Sequence, residues 1–369
     1  VTHRATCAVV REPGGPFLVE EVSLEGPRPD EVLVEVVSAG LCHTDLLVRD
    51  DRPAVLPAVL GHEGAGRVVE VGGEVRGLAP GDPVVLSFPS CGRCPRCLAG
   101  RSAYCDTIAA LKFACRRPDG SVATTDAEGR PVGDHFFGQS SFGTLAIAGA
   151  RSVVRMPDDV DLRIAGPLAC GVQTGAGTVL DVLRLEPGSS IAVFGAGSVG
   201  LSAVMAARYA GAATVVAVNR RRSRLELAGS FGATHLVSPD DGDPVEAIRE
   251  ATGGRGVRYA VETTGVPEVL TAAVRSLDSL GTCAYVGTAP PGVLGGFPML
   301  EAMTKGLTIR GVLQGDSTPA VTIPWLWELH RRGDLPFDRL ITHYRLDEIN
   351  RAAADSVAGD VVKPVLVMG

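Results

Sequence analysis

The sequence predicts two domains of α/β class, an antiparallel barrel-like β domain joined to a doubly wound parallel sheet. Three observations carry that prediction. The chain has 369 residues, more than a single core commonly serves at about 150 residues per domain. Before residue 160, β-branched runs alternate with Gly/Pro turns, whereas beyond Pro167 apolar strands alternate with helical stretches. Lastly, a glycine-rich turn from Gly195 to Gly200 lies between a strand and a helix.

Composition excludes several classes. Hydrophobic residues at 45% and charged residues at 21% are globular values, too apolar for a disordered chain. A net charge of −7 argues against nucleic acid or an anionic membrane as main partner. Aromatics at 5% are few for a stacking or carbohydrate-binding surface. The opening VTHRATCAVV carries Arg4 and no uninterrupted apolar core, so it does not read as a secretory signal. Pro187 to Ala207 is uncharged, but its glycines and serines suit a buried strand–turn–helix better than a membrane span. A soluble, cytoplasmic protein is expected.

In chain order, VLVEVVSAG (32–40), AGRVVEVGG (65–73) and DPVVLSF (82–88) read as strands of the first domain. Nine cysteines without a signal point to metal or thiol chemistry rather than disulfides. Cys91, Cys94, Cys97 and Cys105 have the spacing C-x2-C-x2-C-x7-C. Short loops of this kind deliver four thiolates to a tetrahedral zinc. An iron–sulfur cluster and a chance group of buried thiols are the other readings. Cys7, Cys115 and Cys283 belong to no motif and read as packing residues.

The second domain is expected to hold strands at 191–195, 214–218, 258–264, 282–287 and 307–312, with helices at 198–210 and over RSRLELAGSFG. The last 57 residues predict an amphipathic helix, a second near Asp347–Val357, and a terminal strand VKPVLVM. Gly195-Ala196-Gly197-Ser198-Val199-Gly200 is G-x-G-x-x-G in the context its mechanism requires. Gly195 makes the turn, Gly197 lets the backbone approach a pyrophosphate, and Gly200 packs helix on strand, while Ser198 and Val199 open the helix whose N-terminus favours anions. The bland alternative is a glycine turn without ligand. After the second strand, the place for a carboxylate to the NAD ribose is taken by Asn219, followed by Arg220, Arg221, Arg222 and Arg224. That exchange favours NADP, with NAD possible; the alternative is a solvated basic face.

Three further fragments, GLCHTD (40–45), GHE (61–63) and PLACGVQTGAG (167–177), complete a pattern. With them the whole chain resembles the zinc-dependent medium-chain alcohol dehydrogenases, and FFGQSSF (136–142) makes it most similar to their aryl- (benzyl-) alcohol branch. The resemblance implies a GroES-like catalytic domain over 1–171, a Rossmann domain over 172–312 and a return to the first domain over 313–369, with zinc and nicotinamide in the cleft. It implies Cys42, His62 and Cys170 as catalytic zinc ligands, Glu63 beside the metal, and Asp45 as the carboxylate orienting His62. Two thiolates and one imidazole leave the fourth position that catalytic zinc needs open; on its own, His62 would more often be a packed core residue. The resemblance also implies Thr44 as acceptor of the alcohol proton, His43 and Lys363 as contacts to the coenzyme phosphates, and Thr174 near the nicotinamide. The four-cysteine group becomes a structural site, giving two zinc per chain.

The implied reaction moves a hydride between a primary, aromatic or allylic alcohol and NAD(P), with zinc as Lewis acid; the reverse reduces an aldehyde. A homodimer or homotetramer is implied as well. One departure concerns Leu47, which stands where many relatives place the histidine that ends the proton relay. The rivals are a non-enzymatic dinucleotide-binding or structural member of the fold and a zinc-free quinone or enone reductase. Metal content separates them.

Overall fold

The computed structural model describes residues 2–51 and 55–369. Two compact units emerge. The first comprises the chain up to Cys170 with Thr318–Glu328 and Asp338–Gly369; the second is Gly171–Ser317 with Leu329–Phe337. Residues 313–317 and 329–337 therefore pack with the second unit, where the sequence reading has the chain already returned to the first.

The first unit is built from two antiparallel-dominated sheets. A five-stranded sheet runs in the order Ala58–Val59, Thr2–Val10, Phe17–Glu25, Thr124–Thr125, Pro131–Val132. A seven-stranded sheet orders Val153–Arg155, Pro83–Leu86, Gly64–Val71, Glu31–Gly40, Lys363–Val367 and Ile341–Arg345, with Leu145–Gly149 also on Glu31–Gly40. The terminal strand runs antiparallel to Glu31–Gly40 and parallel to Ile341–Arg345. The strand Glu31–Gly40 is buried on both faces at Val32, Leu33 and Val34, within a core that also holds Phe17, Phe136 and Phe142. Phe17 and Phe142 meet edge to face at 5.8 Å.

A buried charge network pins residues 134–140. His135 Nδ1 lies 2.5 Å from Asp134 Oδ1 and its Nε2 3.2 Å from Glu31 Oε1. Arg117 donates Nε and Nη2 to the two Glu31 oxygens at 2.6 and 2.7 Å and pairs also with Glu25. Burial works against the imidazolium, but Asp134 and Glu31 outweigh it and raise His135 to about 9. His135, Phe137 and Ser140 adopt left-handed backbone (φ 60°, 51° and 51°), a conformation that persists in non-glycine residues only when the surroundings fix it.

The second unit carries a six-stranded parallel sheet in the order His235–Val237, Thr214–Val218, Ser190–Phe194, Val257–Glu262, Leu277–Tyr285, Thr308–Gly311. In chain order this is 3-2-1-4-5-6, the doubly wound Rossmann arrangement. Helices Ser198–Tyr209 and Arg222–Ser230 fall on the expected segments. His235–Val237 was not predicted: it is three residues long, largely exposed at the sheet edge, and leaves no readable period. Ile341–Arg345 escaped for a similar reason, since its buried Tyr344 stands alone between exposed neighbours. Among the described residues no helix is long and apolar enough to cross a membrane.

Candidate active site

Cys42 ends the Glu31–Gly40 strand region, one residue before the helix His43–Asp51 begins. His62 and Glu63 lie between the strands Ala58–Val59 and Gly64–Val71, and Cys170 follows the short helical turn Gly166–Ala169. The fold brings these four residues together: one ligand atom from each lies within 4.8 Å of the others. Asp45 organises the cluster. Its Oδ1 accepts from His62 Nδ1 at 2.8 Å and from the Gly61 N–H at 3.2 Å, and its Oδ2 accepts from the Cys42 N–H at 2.8 Å. With Nδ1 thus committed, His62 Nε2 is buried without any hydrogen-bond partner among the described residues. An imidazole held this way presents a lone pair to a metal.

Glu63 is fully buried. Its Oε1 accepts from Lys363 Nζ at 2.8 Å, while Oε2 has no hydrogen-bond partner among the described residues. Space for the carboxylate comes from Gly40, where a Cβ would stand 2.1 Å from Glu63 Oε2. Burial raises Glu63 above the usual carboxylate range, and Lys363 opposes that shift. Cys42 is lowered well below its ordinary value by a hydrogen bond from the Cys170 thiol, which is raised correspondingly. A thiolate, an unpartnered imidazole nitrogen and an unpartnered carboxylate oxygen facing one point are the donor set of a catalytic metal. Lys363 is 3% exposed and also donates to the Leu41 carbonyl at 3.3 Å. It stands as the buried counter-ion of Glu63. His43 is exposed, and Thr44 Oγ1 lies 3.9 Å from Cys42 Sγ.

Cys91, Cys94, Cys97 and Cys105 form the second cluster, again with ligand atoms within 4.8 Å. Backbone N–H groups point at its sulfurs: Cys94 to Cys91 at 3.4 Å, Cys97 to Cys94 at 3.5 Å, Cys91 to Cys105 at 3.3 Å. Such donors hold Cys91 and Cys94 below the ordinary thiol value, whereas burial pushes Cys97 up to about 12. All nine cysteines are free of disulfides.

In the second unit, Gly195 turns with φ +98°, and Gly200 brings its helix so close that a Cβ would lie 2.0 Å from the Gly195 carbonyl oxygen. Gly197 is exposed, with nothing within 4 Å of a built Cβ, so its backbone is open to a ligand. Ser198 begins the helix Ser198–Tyr209, followed by Val199. Asn219 Oδ1 accepts from the Ala196 N–H at 3.3 Å. Gly195, Gly197, Asn219, Arg220, Arg221 and Arg224 line one cavity of about 700 Å³. Arg220 lies 3.9 Å from Asp240, and Arg222 pairs with Asp241. Thr174 is buried in the helix Gly171–Gly177.

Residues 28–158 match the alcohol dehydrogenase GroES-like domain and residues 198–329 the zinc-binding dehydrogenase family. The geraniol dehydrogenase of Castellaniella defragrans is 46% identical over 98% of this chain and 97% of its own. The chain belongs to the zinc-binding medium-chain alcohol dehydrogenase family. Among solved structures, this dehydrogenase is similar to an alcohol dehydrogenase zinc-binding domain protein from Burkholderia ambifaria (50% identity, TM-score 0.98) and to the benzyl alcohol dehydrogenase of Acinetobacter calcoaceticus (43%, TM-score 0.96), each covering 100% of both chains. It is a zinc-binding, NAD(P)-dependent oxidoreductase that interconverts alcohols and carbonyl compounds by hydride transfer to or from the coenzyme.

Three residues of the dehydrogenase's site were invisible to sequence reasoning. Gln139 is buried, donates Nε2 to the carbonyls of His62, Leu86 and Ser87 at 3.0, 3.0 and 3.2 Å, and accepts the Gly64 N–H at 3.1 Å. One neutral amide thus clamps both sides of the His62–Glu63 segment. Phe137 stacks on the His62 ring at 4.3 Å and 27°, and Lys112 lies over Phe137 in turn. In the segment FFGQSSF, the glutamine between aromatics and serines is the signal that points to a buried polar clamp.

Proposed function

We propose that this dehydrogenase interconverts a primary aromatic or allylic alcohol and its aldehyde, with NADP preferred over NAD. The observation that carries the reading is the His62 imidazole, its Nδ1 locked by Asp45 and its Nε2 turned unpartnered toward Cys42, Cys170 and Glu63. Cys42, His62 and Cys170 would hold the catalytic zinc with Glu63 beside it, and Cys91, Cys94, Cys97 and Cys105 a structural zinc. When bound, the catalytic zinc supplies a Lewis acid that lowers the pKa of an alcohol, and the nicotinamide takes the hydride. Thr44 receives the carbinol proton; Leu47 cannot pass it on, so its route leads through other groups to solvent. Geraniol and benzyl alcohol, named for two relatives, carry their hydroxyl on an allylic and a benzylic carbon, which supports the substrate class.

Asn219 supports the coenzyme preference because it can hydrogen-bond a ribose yet repels no 2′-phosphate. Arg220 and Arg224 in the same cavity supply charge for that phosphate, with Gly195, Gly197, Gly200, Ser198 and Val199 at the diphosphate. The family resemblance supports a role for His43 at the coenzyme phosphate and for Thr174 near the nicotinamide. The protein is assigned to the cytoplasm, with no nucleic-acid or membrane partner, and to self-association as a dimer or tetramer. Exposed Leu294, Met299, Leu300 and Met303, which precede the edge strand Thr308–Gly311 in the chain, favour pairing with a second copy. One experiment tests the reading: zinc content with kcat/KM for benzyl alcohol and geraniol, each coenzyme at fixed ionic strength. About two zinc per chain is expected, with NADP ahead by about tenfold and the order reversed in Asn219→Asp/Arg220→Ala. One zinc or none, or no alcohol oxidised, refutes the enzyme assignment; a wild-type ratio favouring NAD refutes the coenzyme assignment alone.

A further inference from the structure

Two turns at the carboxyl ends of neighbouring strands meet in the cavity of about 700 Å³. One is Gly195-Ala196-Gly197, after the strand Ser190–Phe194; the other is Asn219-Arg220-Arg221, after Thr214–Val218. All of these turn residues line the cavity. The Asn219 side chain ties the turns together. Its Oδ1 accepts from the Ala196 N–H at 3.3 Å, and its Nδ2 donates to the Arg221 carbonyl at 3.3 Å. That carbonyl also takes the first bonds of the helix Arg222–Ser230, from the Arg224 and Leu225 N–H groups at 3.1 and 3.2 Å. Asn219 therefore fixes the start of this helix against the glycine turn. Making both bonds needs a donor and an acceptor on one short stem. An aspartate would meet the Arg221 carbonyl with an acceptor, and an alanine would reach neither group.

The arginines of this segment are not equivalent. Arg222 pairs with Asp241 and does not line the cavity. Arg220 stays 3.9 Å from Asp240, and both side chains are mostly exposed, so the pair is weak in water. Arg221 lines the cavity, and among the described residues its guanidinium makes no ion pair or hydrogen bond. It is also the arginine whose own backbone Asn219 holds. We infer that Arg221 is the principal contact to the 2′-phosphate of NADP, and that Asn219 is the positioning residue that sets it there. A guanidinium fork matches phosphate geometry. An exposed arginine must give up rotamer freedom to hold a phosphate, and a backbone fixed beforehand leaves less to order on binding. This assignment rests on the NADP reading and adds to Arg220 and Arg224 the residue on which most of the preference turns.

The test titrates NAD and NADP calorimetrically into zinc-loaded wild type, Arg221→Met, Arg222→Met, Asn219→Ala and Asn219→Ala/Arg221→Met at fixed ionic strength. Its readout is the ratio of Kd for NAD to Kd for NADP. Arg221→Met is expected to lower the ratio about tenfold, the lower end of one charge-assisted contact. Arg222→Met, whose charge already faces Asp241, should leave it within about twofold. Asn219→Ala should lower it about fivefold, the size of one neutral hydrogen bond, with NAD affinity kept within about twofold. In the Arg221→Met background the same alanine should change the ratio by less than about 1.5-fold, because the group it positions is gone. Equal falls in Arg221→Met and Arg222→Met mark a diffuse basic surface and overturn the inference. So does an Asn219→Ala effect that is the same in both backgrounds, or that falls equally on NAD and NADP. A wild type that favours NAD refutes the coenzyme reading, yet the shift of the ratio between wild type and Arg221→Met still decides the contact. If Asn219→Ala does not fold, Arg221→Met against Arg222→Met decides it alone.

Discussion

Replacing Asp45 by asparagine removes one charge and turns one acceptor into a donor, with nearly no change of shape. The aspartate accepts three hydrogen bonds, from His62 Nδ1, the Gly61 N–H and the Cys42 N–H, and it is fully buried. Asparagine cannot serve all three. With its oxygen toward His62 and Gly61, its amide N–H group confronts the Cys42 N–H, donor against donor. Flipped, the amide donates to His62 Nδ1, which forces the imidazole proton onto Nε2, the nitrogen that faces the metal cluster. Either arrangement loses a charge-assisted bond worth about 1.5–3 kcal/mol or strands a buried N–H at about 1–3 kcal/mol. Partners of this kind typically contribute 10- to 100-fold in metal affinity, or about 1.4–2.7 kcal/mol, so the two routes agree. The assay is competition with a chromogenic chelator of known affinity, resolving two zinc ions per chain, with the four-cysteine zinc as internal reference. Affinity of the catalytic zinc unchanged within about twofold, or equal loosening of both ions, refutes the argument that Asp45 acts by orienting His62 and Cys42.

Cys97→Ser should release one zinc and lower the melting temperature before it alters turnover, since a closed thiolate site contributes folding free energy; differential scanning calorimetry with metal analysis checks this. Gly40→Ala places a methyl group 2.1 Å from Glu63 Oε2 and should destabilise by about 1–3 kcal/mol, read by urea unfolding of the zinc-loaded protein. The His135 network predicts a pH dependence. His135 is raised from 6.5 to about 9 in the fold, so its contribution is fully present below pH 6.5 and is lost as pH rises through 9, at most about 3 kcal/mol. The alkaline limb of melting temperature against pH should flatten in His135→Gln; an equal slope in both proteins refutes it.

The fold class was legible because its signals are local. A β-branched run or a glycine turn between strand and helix depends on neighbours in sequence, and so does the four-cysteine knuckle, whose first and last members are 14 positions apart. The catalytic cluster was legible only through family likeness: no local rule joins Cys42, His62 and Cys170, which meet because three separate loops end at one place. Roles that depend on burial were the least visible. The pairing of Lys363 with Glu63 had no signal in the sequence, because a strand far along the chain brings them together. Gln139 and Lys112 look like ordinary polar residues until the surroundings that strip them of water are known.

The pairing of Glu63 with Lys363 also sets an order of assembly. Their positions differ by 300, and at about 5–20 residues per second a ribosome needs about 15–60 s to travel between them. Once Cys170 has been added, the nascent chain has made every sulfur and nitrogen of the cluster, but not the cation that balances its buried carboxylate. The knuckle can close early, within one short loop. The catalytic centre waits for the strand Lys363–Val367 to slide between Glu31–Gly40 and Ile341–Arg345, so a strand made long after the metal ligands completes the chemistry, and a chain that stops short of it does not carry a finished metal centre.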